Sequence, residues 1–146
     1  CYASGIGDEL LPIDLDMRGL RIIMIKPTEG VSTREAYSGI IRHPEVANAI
    51  LEKLQSNSHL KELLTSYPSI FINDFEQTVF PLHLSIAAIK KRLQDANALY
   101  ACMSGSGSTI FGLFDDDSEG RTYSLLRVLE QEFASMVLLN DTLGKR

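Results

Sequence analysis

A run of five small residues, Ser104 to Ser108, lies between two apolar stretches and is the strongest candidate for chemistry in the chain. Its two glycines allow a tight turn and a close approach of the main chain to a ligand. Successive N–H groups in such a turn can form an anion-binding nest, and serine hydroxyls add donors without bulk. A hairpin needs only two turn residues. This glycine loop therefore indicates an anion site, and a plain turn stays open as the alternative.

Three familiar motifs do not fit the glycine loop. A P-loop carries lysine directly after its second conserved glycine, whereas Ser108 follows Gly107 here. A dinucleotide-binding fingerprint opens a helix, but residues 109–114 have the pattern of a strand. A nucleophile elbow needs Gly-x-Ser-x-Gly, and the serines of this loop are out of phase with that spacing.

The other residue types that carry chemistry are scattered. His43, His59 and His83 lack the spacing of metal ligands, and we interpret all three as surface or core polar positions. Cys102 lies in an apolar run, which favours a small buried hydrophobe over a catalytic thiol. The acidic run at residues 115–117 precedes a helical pattern, where negative charge complements the helix dipole. We therefore favour a structural role for these acids over metal binding, and we predict no metal site.

Apolar runs flank the glycine loop at residues 98–103 and 109–114, and the short connection makes them antiparallel strands. The nearly continuous apolar run at residues 20–26 is typical of a central strand. Alternation at residues 10–16 predicts a half-buried strand, and residues 135–139 form the last strand. The sequence NDTLGKR that follows has no pattern.

Helical patterns fill the segments between these strands. They cover residues 34–40 after a predicted cap at Thr33, 44–55, 59–67, 82–97, and a last helix after the acidic run. Asn73, three residues before Glu76, is close to a capping box. Two apolar stripes are predicted to face the core: Leu82, Ile86, Ile89, Leu93 and Ala96 in one helix, and Leu125, Val128, Leu129 and Phe133 in the last.

The element order strand, helices, strand, strand, helix, strand predicts an α+β fold. Its economical form is a ferredoxin-like antiparallel sheet of about four strands with helices packed on one face. The length of 146 residues fits a single domain. We assign residues 1–19 to a linking strand or the end of a preceding domain, residues 20–140 to the core, and residues 141–146 to a tail. The strand-like beginning without Met indicates one half of a larger protein.

Composition narrows the classes of partner. A net charge of −5 with scattered basic residues argues against nucleic acid. No apolar run approaches the roughly 20 residues of a membrane span. Cys1 and Cys102 make no disulfide framework, which favours a cytoplasmic location.

The glycine loop with its flanks, MSGSGSTIFGLF, resembles the third conserved motif of the GHMP kinases. GIGDEL, KPTEGVSTREAY and INDFEQTVFPLH, in this order, are similar to the 4-diphosphocytidyl-2-C-methyl-D-erythritol kinase family within that superfamily. The resemblance spans nearly the whole chain and implies the ferredoxin-like carboxy-terminal domain. It also implies an ATP- and Mg²⁺-dependent kinase of isoprenoid (terpenoid) biosynthesis, acting on the 2-hydroxyl of its cytidyl diphosphate substrate. The nucleotide loop, the catalytic lysine and the catalytic aspartate of the family have no match here.

The resemblance also implies site residues. Backbone N–H groups of Gly105, Ser106 and Gly107 would lie beside the transferred phosphate, with Ser104 and Ser108 in support. No catalytic residue and no metal ligand is carried over.

Tyr37 occupies the position where related enzymes stack an aromatic ring on cytosine, and Thr33 is the second candidate for binding the cytidine. The local pattern fits an amphipathic core tyrosine equally well. ATP and Mg²⁺ would be bound mainly by the other domain, and we expect the chain alone to be inactive.

Two alternatives stay open. Another GHMP kinase, of the homoserine, mevalonate or galactose type, would share the loop. A stand-alone ferredoxin-like module that binds a small ligand or pairs as a regulatory dimer would have no kinase activity, and a homo-oligomer also remains open.

Overall fold

The structure, a computed structural model, describes residues 1–41, 44–56, 59–116, 120–133 and 136–143. Its strands are β1 (Tyr2–Ser4), β2 (Glu9–Leu11), β3 (Leu20–Lys26), β4 (Tyr100–Met103), β5 (Ile110–Asp115) and β6 (Met136–Leu143). Its helices are α1 (Thr33–Tyr37), α2 (Pro44–Ser56), α3 (Leu60–Ser66), α4 (Glu76–Leu82), α5 (Leu84–Asp95) and α6 (Arg121–Glu132). Within these ranges, every helix is too short or too polar to cross a lipid bilayer.

Four strands form one antiparallel sheet in the order β4-β5-β3-β6. The first strand of this sheet, β3, therefore lies between β5 and β6, which explains why its sequence is apolar almost throughout. The strand order is that of a split βαβ arrangement. The antiparallel α+β class predicted from the sequence is confirmed.

The main core lies on one face of this sheet. Alternate strand residues point to the same face, and here they include Ile23, Ile25, Met103, Ile110 and Phe114. Side chains from α5 and α6 close the layer: Ile86, Ile89, Leu93 and Leu129. Full burial of an aliphatic side chain contributes roughly 1.5–3 kcal/mol, so this layer is the main source of stability.

A second cluster covers the opposite face. Leu60 and Leu64 of α3 pack there against Leu20 and Leu113. Aromatic rings surround them: Phe71, Tyr100 and Phe111. The sequence predicts helices on one face, and the structure adds α3 on the other.

The predicted strand at residues 10–16 is wrong in extent. The strand β2 ends at Leu11, and Pro12, which has no N–H to donate, follows it. β1 and β2 pair as a separate two-stranded hairpin. Asp16 instead makes an isolated bridge with His59.

Two helix boundaries differ from the prediction. Thr33 is the first residue of α1 rather than its cap; Ser32 precedes it, and α1 ends at Tyr37 instead of residue 40. The pattern at residues 82–97 covers two helices, because α4 ends at Leu82 and α5 begins at Leu84.

Two residues of the predicted stripes are exposed. Leu82 is 62% exposed because it belongs to the end of α4, so the periodicity of α5 does not set its direction. Val128 is 48% exposed. The other three predicted residues of the α6 stripe, Leu125, Leu129 and Phe133, pack on the core, and Thr122 is buried in register with Leu129 two turns later.

The last strand is longer than predicted. β6 runs to Leu143 and pairs with β3, with an irregularity between Leu20 and Ile22. Four residues of the sequence NDTLGKR therefore belong to the sheet, and residues 144–146 lie outside the described ranges.

Candidate functional site

The glycine loop joins β4 to β5. The Ser104 N–H donates to the Thr109 carbonyl at 2.8 Å, and the Gly107 N–H donates to the Ser104 carbonyl at 3.0 Å. These bonds close a four-residue turn. Gly105 and Gly107 have φ angles of +55° and +95°, a region that glycine occupies without the clash of a Cβ atom.

Two amides of the loop stay unused. Within the described residues, neither the Gly105 N–H nor the Ser106 N–H has a hydrogen-bond acceptor. Gly105 is exposed and Ser106 is half-buried. Both groups are therefore open to an anion, whereas the Gly107 N–H is engaged in the turn. The role of the loop as a phosphate site stays a prediction.

Asn73 holds the loop from behind. Its Nδ2 donates to the carbonyls of Met103 at 2.7 Å and Gly105 at 2.8 Å, while its Oδ1 accepts the Phe75 N–H at 3.0 Å. The predicted capping box is wrong, because the Glu76 side chain points to the sheet instead of returning to Asn73. An amide side chain can donate and accept at once, so Asn73 joins the start of α4 to the first half of the glycine loop.

Glu76 provides the second brace. Its Oε1 accepts the Met103 N–H at 2.8 Å, and its Oε2 pairs with the Lys90 ammonium of α5. The side chains of Glu76 and Lys90 are only 14% and 22% exposed. The residue that leads into the loop is thus fixed through a mostly buried ion pair, a kind of contact that is costly to break on one side.

Gly107 packs closely against its neighbours. A Cβ atom added there would lie 2.8 Å from Met103 Sδ and 3.4 Å from Val31 Cγ2. Val31 belongs to the segment that leads into α1, so this segment borders the glycine loop.

Lys26 reaches the other end of the loop. Ile25 pairs with Ile110 across the sheet, which brings the end of β3 next to the loop. Lys26 Nζ donates to Ser108 Oγ at 3.0 Å, and Ser108 is only 1% exposed. Ser108 is therefore an internal anchor and does not face a ligand directly.

The candidate cytidine residues lie on α1. Tyr37 is 51% exposed, and its ring meets Phe75 edge to face with centroids 4.8 Å apart. Thr33 is exposed at the start of the helix. Phe75 lies two residues after Asn73, so one short segment contacts both the tyrosine and the glycine loop. Their roles in binding stay predictions.

His83 joins this neighbourhood at the junction of α4 and α5. Its Nδ1 lies 2.5 Å from a Glu29 oxygen and its Nε2 lies 3.3 Å from a Glu35 oxygen, and Ser85 also hydrogen-bonds Glu29. Hydrogen bonding to Glu29, with a further contribution from Glu35, raises the pKa of His83. The bonds from His83 and Ser85 lower the pKa of Glu29.

The other predicted polar positions have separate surroundings. His59 is exposed and lies 3.3 Å from an Asp16 oxygen, whereas His43 lies outside the described residues. Cys102 is buried as predicted, and burial raises the pKa of its thiol to about 11, so it stays protonated at neutral pH.

The acidic run is structural, but not through a helix dipole. Asp115 pairs with Lys61 and Asp116 with Arg21, each at 2.6 Å, and no acidic residue lies in the first turn of α6. Asp117 lies outside the described residues. In the part of the chain that the structure describes, no three His, Cys, Asp or Glu side chains gather into a set that could hold a metal ion.

Residues 49–124 match the family described as GHMP kinases, C terminal. This stretch is more than half of the chain and contains α5, β4, the glycine loop and β5. The chain belongs to the GHMP kinase C-terminal domain family. The resemblance that the motifs indicated is thereby confirmed.

Two relatives of this GHMP domain carry the same enzyme name. A 4-diphosphocytidyl-2-C-methyl-D-erythritol kinase from Bacteroides thetaiotaomicron is 41% identical over 117 residues, which are 80% of this chain and 40% of that protein. The kinase of the same name from Parabacteroides distasonis is 36% identical over 124 residues, 85% of this chain and 43% of that protein. The chain thus spans about two fifths of the curated relatives that it matches.

Solved structures share the fold of this GHMP domain. Homoserine kinase from Cytophaga hutchinsonii aligns with a TM-score of 0.66 and 21% identity over 88% of this chain and 44% of that one. A 4-(cytidine 5'-diphospho)-2C-methyl-D-erythritol kinase aligns with a TM-score of 0.63 and 22% identity over 97% of this chain and 48% of that one. At these identities the likeness establishes the fold and says nothing of the substrate.

Sequence reasoning missed the residues that hold the loop. The sequence pattern places Asn73 and Glu76 at a helix cap and Lys26 at the end of a strand. The sequence feature that could have indicated this role is the pair of polar residues next to an apolar run. Polar side chains that become buried there need hydrogen-bond partners.

Proposed function

We propose that the chain is the carboxy-terminal, substrate-side domain of an ATP-dependent kinase that phosphorylates the 2-hydroxyl of 4-diphosphocytidyl-2-C-methyl-D-erythritol. The names of the Bacteroides and Parabacteroides relatives support this substrate. One observation of the chain itself carries the proposal. The unused amides of Gly105 and Ser106 lie on a braced loop, and the segment that braces it also contacts the exposed ring of Tyr37.

In this proposal the glycine loop binds a phosphate oxygen through the Gly105 and Ser106 amides. Phosphoryl transfer depends on positioning and on stabilising charge, so fixed N–H donors aimed at the phosphate contribute directly. The new bond joins the substrate hydroxyl oxygen to the γ-phosphorus of ATP as the bond from that phosphorus to the ADP oxygen breaks. The hydroxyl proton passes to a base that we assign to the rest of the protein. Asn73 and Glu76 keep the donors in place without touching the reacting atoms.

Tyr37 would stack on the cytosine. Half of its surface is open, and Phe75 supports its ring from the edge. Base stacking on an aromatic ring contributes about 1–3 kcal/mol in nucleic-acid complexes, which corresponds to roughly 5- to 150-fold in affinity. We assign the cytidine end of the substrate to this ring and to Thr33.

The residues of this chain suit a phosphate of ATP better than they suit Mg²⁺. The loop amides suit a phosphate of ATP, but the described residues contain no acidic set for a metal. We therefore derive no step through Mg²⁺ from these residues, and we propose that the rest of the protein binds the metal and most of the nucleotide. A cytoplasmic location fits the two unpaired cysteines.

The test begins with the coding sequence upstream of Cys1. We expect a glycine- and serine-rich nucleotide loop there, and we expect the purified full-length protein to transfer phosphate from ATP to the cytidyl substrate. Homoserine, mevalonate and galactose serve as competing substrates. Turnover of one of these alone would assign another GHMP kinase, and a start codon directly before Cys1 would support the stand-alone binding module. Kinase activity of the 146-residue chain alone would contradict the proposal that the rest of the protein binds the metal and most of the nucleotide.

The role of Tyr37 can be tested in the same protein. We expect Tyr37→Ala to raise KM for the cytidyl substrate about fivefold or more while KM for ATP changes little, because stacking is lost only at the base. Tyr37→Phe keeps the ring and is the matched control. Equal changes in both KM values would place the tyrosine in the core instead.

A further inference from the structure

Lys26 has a surrounding that differs from those of the other described lysines, of which Lys53 lies over the ring of Tyr67, 4.6 Å from its centroid. Lys61, Lys90 and Lys91 each pair with a carboxylate: Asp115, Glu76 and Asp95. Among the described residues, Lys26 has no carboxylate within ion-pair distance, and its ammonium donates to the hydroxyl of Ser108. Its positive charge is therefore not neutralised within the described chain.

The position of this charge is fixed by the sheet. Lys26 is the last residue of β3, and the pairing of Ile25 with Ile110 brings that strand end beside the glycine loop. Ser108 is 1% exposed, so the hydroxyl that accepts the Lys26 hydrogen bond is itself held by packing. The Lys26 side chain is itself exposed, and its hydrogen bond to this buried hydroxyl keeps the ammonium beside the glycine loop.

The ammonium keeps donors to spare. It has three N–H donors, and Ser108 takes one of them. Two remain at the loop whose Gly105 and Ser106 amides also lack an acceptor within the described residues. Neutral amides and one cation together form the donor set that a phosphate oxygen prefers, because hydrogen bonds from a charged donor are about twice as strong as neutral ones.

We propose that Lys26 is a phosphate-binding residue of the glycine loop, with its ammonium on an oxygen of the phosphate that the Gly105 and Ser106 amides contact. The inference rests on the proposed function, since it assigns one more contact to the same phosphate. Lys26 adds the full positive charge that the loop itself lacks. The ligand class is a phosphate or diphosphate ester.

The first experiment titrates the 146-residue chain with inorganic pyrophosphate and follows its backbone amides by NMR. We expect the Gly105 and Ser106 amide signals to shift, and we expect Lys26→Met to weaken this binding about tenfold or more. Lys61→Met is the matched control, because it removes a lysine whose carboxylate partner is exposed. Unshifted loop amides in the wild type, or equal affinities for Lys26→Met and the wild type, would overturn the inference.

The second experiment separates this inference from the proposed function. In the full-length kinase we expect Lys26→Met to lower kcat/KM at least tenfold, and Lys26→Arg to recover part of the loss. If the full-length protein is inactive on the cytidyl substrate while pyrophosphate binding still depends on Lys26, the proposed function fails and the anion site stands. If the kinase is active and unaffected by Lys26→Met, the inference fails and the function stands.

Discussion

The two ends of β5 are both polar in sequence, and the structure uses them in different ways. At its end, Asp115 and Asp116 each pair with one basic side chain, Lys61 or Arg21. At its beginning, the glycine loop is held by side chains that bond its carbonyls and one flanking amide, while two of its own amides keep no described acceptor. Charge that is neutralised locally indicates structure. Donors that are held in place and left unused indicate a site.

The largest effect is expected within the loop. We expect Gly107→Ala to lower the free energy of unfolding by about 1–3 kcal/mol more than Gly105→Ala, because overpacking costs about that much. The φ of Gly105, +55°, lies in the left-handed region that other residues can adopt, whereas the φ of Gly107, +95°, lies outside it, so the backbone cost is also larger at Gly107. Only at Gly107 does the new Cβ meet Met103 and Val31, and at Gly105 it meets nothing within 4 Å. Urea unfolding measures the difference, and equal losses would show that the loop end is not packed as described.

Asn73→Ala is expected to have the next largest effect. It removes both donors to the Met103 and Gly105 carbonyls, which costs about 1–3 kcal/mol where the freed groups are shielded from water. The turn amides of Ser104 and Gly107 should then exchange their hydrogens faster. Gln77→Ala, which removes an amide that bonds the Ile41 carbonyl away from the loop, is the control. If the loop amides of Asn73→Ala exchange their hydrogens at the wild-type rate, Asn73 does not hold the glycine loop in place.

A pH dependence is expected from His83. Its pKa is raised above 6.5, so its contribution to stability is complete below that pH and is lost as pH rises through the pKa of the folded state. The pKa of Glu29 is lowered from 4.5, so its contribution is present above that pH and is lost on acidification. The pair is therefore most stabilising between these values. We expect the urea midpoint to fall from about pH 5.5 to about pH 8 in the wild type and to fall less in His83→Gln.

The smallest effect is expected at the acidic end of β5. Asp116→Asn should lower the free energy of unfolding by up to about 1 kcal/mol, since its partner Arg21 is only 13% exposed. Asp115→Asn, whose ion pair is largely exposed, should change it by about 0.5 kcal/mol or less. In thermal unfolding, the first variant should shift Tm downward by up to about 4 °C. A loss of phosphate binding in Asp116→Asn would contradict the purely structural role assigned to the acidic end of β5.

The sequence predicted the sheet well because its strands have the simplest patterns. β3 was located at its observed bounds, and the hairpin of β4 and β5 follows from two apolar runs around a short loop. The stripe of Ile86, Ile89 and Leu93 was also right, because α5 packs directly on the sheet. Local patterns suffice where one face of an element is buried throughout.

The braces of the site could not be predicted in the same way. The partners of Asn73 lie 30 and 32 residues away, and Lys26 meets Ser108 across 82 residues. Such pairs exist only after the sheet has formed, so neither residue carries a local signal of its role. The break between α4 and α5 was missed for a similar reason, since His83 turns toward carboxylates on a distant segment.

The segment from Asn73 to Glu76 has one more consequence. It supports Tyr37 through Phe75 and the glycine loop through Asn73. The distance between a base on the ring and a phosphate on the loop would therefore be set by this one segment. A molecule whose base and phosphate are separated by too few or too many bonds could occupy one of the two positions but not both. Selection by length would then be built into four consecutive residues, independently of any group that recognises the sugar.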